Sequence, residues 1–222
     1  MNDIDTNPDI IVDFVTGQST PNVGAEANRQ RVERLLIEEK GFQRDDILVD
    51  APIQMDIDGE PYHSTVDLVI QIDSRPLMAV KCAAGSLGSR EREIVSAARL
   101  FGDSPMPLAV VSDGTTATVL DTLTGKQKGE GLASIPSRTE AIELARRDPL
   151  PSIAPDRLAR ERLVFRSYDS MKKPQFLRFH KSSGEDIVAN QFVGITQHRT
   201  APLCSKAAQA APPCPAGQHL VD

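Results

Sequence analysis

The sequence predicts an α/β protein, with helices flanking a mixed central sheet. Three observations carry this expectation. The elements run in the order helix, three strands, helix, two strands and further helices. Turn signals (Asp58-Gly59, Asp73-Ser74-Arg75-Pro76 and Asp113-Gly114) separate the strand-like stretches closely. A chain of 222 residues with 40% hydrophobic content is also long and apolar enough to bury a core.

Residues 1–22 read as an N-terminal arm. The short apolar run Ile10-Ile11-Val12 is its docking segment, followed by Asp13-Phe14-Val15-Thr16-Gly17 and a polar stretch. The main domain is assigned to 23–148. Residues 24–40 have helical spacing, with Ala25, Val32, Leu35, Leu36 and Ile37 in an apolar stripe and Gly41 as the stop. Glu26, Arg29, Glu33 and Arg34 occupy the other face. Alternating stretches at 53–57, 64–72 and 77–82 predict three strands. Ser89 is a candidate cap for a helix reaching about 101, with Glu91 in its first turn. Residues 107–112 and 115–121 read as two more strands, and 137–147 as a helix. Beyond Pro149 and Pro151, a helical extension (149–171) holds a helix at 156–170. Residues 172–222 are predicted to be mostly disordered, since 201–218 is rich in Ala and Pro with little to bury.

Net charge is −6, which argues against nucleic-acid binding by bulk positive charge. The charge is uneven: residues 1–73 balance to −11, 74–170 to +2 and 171–222 to +3. A polyanion would therefore be handled after Asp73. No run approaches the ~18 apolar residues of a membrane span, and the acidic N-terminus does not resemble a signal peptide. Three cysteines are too few for a disulfide scaffold, so a reducing, cytoplasmic setting is expected.

The informative pair is Asp67 and Lys81. The turn at 73–76 makes 64–72 and 77–82 an antiparallel hairpin. If Ile72 faces Leu77, then Asp67 lies opposite the Lys81–Cys82 end. Asp67, Val69 and Gln71 would share a face with Leu77, Ala79 and Lys81. An acid and a lysine at the end of an apolar sheet must pair, bind a metal or face a cleft. A plain ion pair satisfies the same spacing.

Several blocks resemble the N-terminal nuclease domain of type I restriction enzyme R subunits, within the PD-(D/E)XK nuclease superfamily. They are 13–17 (DFVTG), 24–36 (GAEANRQRVERLL), 38–42 (EEKGF), 46–50 (DILVD), and 66–70 (VDLVI) leading to Ala79-Val80-Lys81. The likeness covers roughly residues 10–125. It implies a restriction-endonuclease-like sandwich and Mg²⁺-dependent hydrolysis of DNA. By position, Asp67 becomes the metal aspartate and Lys81 the catalytic lysine. The triplet's acid position holds Ala79, and a methyl group cannot ligate Mg²⁺. Glu93 is the first candidate to replace it as catalytic and metal-binding acid, with Glu26 and Glu33 next. Otherwise the fold persists as a non-catalytic module binding DNA or a protein partner of a restriction system.

Arg90, Arg92 and Arg99 are the candidate nucleic-acid contacts; a solvated helix face is the plainer account of them. Glu93 could likewise be an exposed charge of the 90–93 run. Cys82 is expected to point to the opposite face as a buried, inert thiol. His198, Cys204, Cys214 and His219 fit no zinc spacing. Residues 85–89 lack the lysine of a phosphate-binding loop, and no nucleotide site or ATP-driven motor is expected.

Overall fold

The computed structural model describes residues 9–169. The chain divides into two units, Met1–Phe176 and Leu177–Asp222. The predicted tail, with His198, Cys204, Cys214 and His219, lies outside the described residues.

Strands β1 (Ile10–Val12) and β2 (Ser19–Pro21) form a small antiparallel ribbon. Helix α1 (Glu26–Arg34) continues through a π-helical turn, Leu35–Glu39, and stops at Gly41, whose φ of 77° is the left-handed conformation that ends helices. Strands β3 (Ile47–Ile57), β4 (Glu60–Ile72) and β5 (Arg75–Cys82) follow, then α2 (Glu91–Leu100). β6 (Leu108–Ser112), β7 (Ala117–Asp121) and β8 (Gln127–Glu130) complete the sheet. Helices α3 (Arg138–Ala145) and α4 (Pro155–Asp169) come last.

The six-stranded sheet has the spatial order β3-β4-β5-β6-β7-β8. Every pairing is antiparallel except β5 with β6. That pair is parallel because α2 carries the chain back across the sheet, as a parallel connection requires. One apolar layer joins Val32 and Leu36 of α1 and its extension, and Ala141 of α3, to Leu68, Ile70, Val80 and Val110. The other joins Ile94, Val95 and Ala98 of α2, and Phe165 of α4, to Val69, Ala79, Ala109 and Val111. A sheet covered on both faces explains why β5 and β6 bury nearly every residue, where the sequence predicts alternation for β5.

The mixed α/β class agrees with expectation, and four details differ. Strands β1, β2 and β8 were not expected as strands; β8 (Gln-Lys-Gly-Glu) carries no apolar signal at all. Ser89 does not cap α2. It sits in a 3-10 turn, Gly88–Arg90, and its hydroxyl donates to the Ser86 carbonyl at 2.7 Å. The β4–β5 turn is two residues, Asp73-Ser74, with φ of 50° and 63°, so Ile72 faces Arg75 and not Leu77. A bulge at Ile70/Gln71 then shifts the register, placing Leu77 in the layer with Leu68 and Ile70 instead of on the Asp67 face. By contrast, the helix expected at 137–147 forms as α3, and Ser137 caps it in a reciprocal box with Glu140.

Among the described residues, no helix is long and apolar enough to cross a membrane.

Candidate functional site

Past the bulge, Leu68 pairs with Val80 and Val69 with Ala79, so Asp67 and Lys81 meet at the end of the β4–β5 ladder. Lys81 Nζ donates to both Asp67 oxygens, at 2.7 and 2.5 Å. The Cys82 backbone N–H donates to Oδ2 at 2.8 Å. The two side chains retain 11% and 19% of their exposure, so the ion pair is largely withdrawn from water. Such a pair holds because each charge has the other. Cys82 itself turns into the α1/α3 layer, and burial, helped by the Asp67 charge, raises its thiol pKa well above the ordinary value. A thiol so held is a poor nucleophile.

Ala79 is fully buried in the layer beneath α2. Glu93 is also buried, at 1% exposure, with Arg90 Nη1 3.2 Å from its Oε2. Helical spacing turns Glu93 inward together with Ile94 and Ala97. Asp67, Lys81 and Glu93 line one recess, which Ile94, Ala97 and Phe165 close. Its volume is about 10 Å³, at the limit for one water molecule. Among the described residues, no three His, Cys, Asp or Glu side chains converge to hold a metal ion.

A second polar group abuts this one, built around the buried Arg29 of α1. Its guanidinium lies 3.2 Å from Asp13, 2.8 Å from Glu26, 3.8 Å from Glu33 and 3.0 Å from Asp50. Asp13 also organises the 13–17 loop, accepting from the backbone N–H groups of Val15 and Thr16. Asp50 takes φ 48°, and it and Asp67 fall between the paired Val49–Leu68 and Ala51–Val66. Asp50 was not singled out by spacing, and Arg29 was noted only as part of a polar helix face. Both lie inside the sequence blocks that carry the family resemblance.

Glu33 is fully buried in this group. Its Oε1 has only the 3.8 Å approach of Arg29, and its Oε2 accepts from the Val15 N–H at 3.3 Å. Burial, with the nearby Asp13 charge, pushes its pKa up to about 7, against the pull of Arg29. The folded state thus holds this proton more tightly than the unfolded chain. The stabilisation is fully present below pH 4.5 and is lost as pH rises through about 7. Urea titrations across that window are expected to show wild-type stability falling with pH more steeply than that of Glu33→Gln. Equal slopes would contradict the assignment.

The three candidate phosphate-contacting arginines differ in their surroundings. Arg90 is engaged by Glu93, and Arg92 is exposed. Arg99 is drawn away from the Asp67 recess: it donates to Glu161 of α4 at 2.6 Å and to the carbonyls of Thr122 and Leu123 at 2.8 and 3.2 Å. Sequence spacing could not show this, because Glu161 is 62 residues away.

Residues 24–136 match the family described as the type I restriction enzyme R protein N terminus (HSDR_N). No curated protein and no solved structure matches the chain significantly.

Proposed function

Because the chain belongs to the type I restriction enzyme R protein N-terminal family, we propose that it is a restriction-system domain of nuclease type that binds DNA without cutting it. The observation that carries this reading is Ala79. In the PD-(D/E)XK arrangement that the sequence resembles, this position supplies a metal carboxylate; here it supplies a buried methyl group. Mg²⁺ takes hard oxygen ligands in near-octahedral geometry and usually keeps several waters. Both Asp67 oxygens already accept from Lys81, and the adjoining recess has no room for a hydrated ion. The residues present therefore do not fit Mg²⁺, and no hydrolytic step follows from them.

A second reading, Mg²⁺-dependent hydrolysis of DNA, has one observation in its favour. Asp67, Lys81 and Glu93 share a single recess, so the relocated acid lies on the right side of the sheet. Calorimetric titration with Mg²⁺ and with Mn²⁺ separates the two. The binding reading expects no heat beyond dilution at millimolar metal. Saturable binding that is lost in both Asp67→Asn and Glu93→Gln would favour hydrolysis.

A further inference from the structure

A basic groove of about 480 Å³ lies between α2 and α4, on the sheet face that these two helices cover. Arg92 and Arg99 of α2 and Arg157 and Arg160 of α4 line it, with Glu91 and Glu161 as the opposing acids. This local excess of two positive charges stands on a chain whose net charge is −6.

The floor is built and largely dry. Glu161 is 8% exposed and accepts from Arg99 at 2.6 Å and from the Ser96 hydroxyl at 2.7 Å; Arg157 Nε lies 3.6 Å away. Arg157 also donates to the Leu123 carbonyl at 3.0 Å. These contacts fix the two helices against each other and satisfy the one buried acid. Burial lowers the Arg99 pKa, and the Arg157 charge adds to that, despite the pull of Glu161. The rim differs. Arg92 and Arg160 are exposed, and among the described residues neither has an ion-pair partner. Two arginines facing an open groove over a fixed floor suit bidentate contact with phosphate oxygens.

We propose that the α2–α4 groove docks the phosphodiester backbone of DNA, with Arg92 and Arg160 as the phosphate contacts and the Arg99–Glu161–Arg157 group as the support that positions them. The proposal rests on the binding reading above in taking DNA as the polyanion. The α2 wall lies within the matched residues 24–136, and the α4 wall, with Arg157 and Arg160, lies beyond them.

The test is fluorescence anisotropy of a labelled short DNA duplex with the full chain in EDTA, across a salt series. Because EDTA removes metal, the result is independent of whether the domain cuts. The double variant Arg92→Ala/Arg160→Ala is compared with Arg146→Ala/Arg147→Ala, which removes the same charge from exposed positions at the end of α3. The groove variant is expected to bind about tenfold more weakly at low salt, with the slope of log K against log salt reduced by about 2. The control is expected to keep the wild-type slope to within about one charge. All four side chains are exposed, so thermal midpoints are expected to stay level. Equal losses in both variants, unchanged binding in the groove variant, or no duplex binding by the wild type would each overturn the proposal. So would displacement of the duplex by inorganic phosphate at matched ionic strength, which would assign the groove to a small anion.

Discussion

Arg29→Ala is expected to destabilise the protein by about 3–5 kcal/mol in urea titrations, the range for removing one partner from a buried ionic group. The cause is the number of charges left behind. Arg29 is buried at 6% exposure and approaches Asp13, Glu26, Glu33 and Asp50. Without it, Asp13 and Glu33 stay buried beside each other with no cation, and the 13–17 loop loses part of its seat on α1. Acidification toward pH 4.5 should raise the variant's stability, because folded Glu33, freed from the pull of Arg29, holds its proton more tightly still than the unfolded chain does. Arg29→Lys should fall between the two proteins, since an ammonium cannot span several carboxylates as a guanidinium does. A loss below about 1 kcal/mol in Arg29→Ala would mean that the group is solvated, as surface pairs are.

Lys81→Ala should cost about 2–3 kcal/mol, somewhat less than a fully buried pair because both side chains keep some exposure. Spacing left Lys81 as a plain ion-pair partner of Asp67, while the family resemblance implied a lysine that serves a reaction. The structure forms the ion pair, at 2.5–2.7 Å. A double-mutant cycle with Asp67→Asn should give a coupling energy of about 1–3 kcal/mol. Additive single effects would show that the pair is not formed in solution.

Much of the fold was legible because its signals are local. The stretches 77–82 and 107–112 read as strands and 137–147 as a helix, and the structure has β5, β6 and α3 there. The meeting of Asp67 and Lys81 was legible from alternation and a short turn. The exact register was not, since the Asp73-Ser74 turn and the Ile70/Gln71 bulge offset each other near the pair. What escaped the sequence was non-local. Arg29 reaches Asp13 and Asp50, 16 and 21 residues away, and Arg99 reaches Glu161. The 90–93 run looked like an exposed charged surface, yet the α2 stripe turns Glu93 under Phe165 while leaving Arg92 in solvent. The departure at Ala79 was visible in the sequence. Its consequence was not, because only packing shows that the space around it is closed.

The central claim is that this family member binds without cutting. Incubation of supercoiled plasmid with the purified full chain, in Mg²⁺ and separately in Mn²⁺, tests it most directly. The account predicts no nicking or linearisation above the buffer control with either ion. Metal-dependent cleavage that disappears in Asp67→Asn, with that variant still folded, would contradict it.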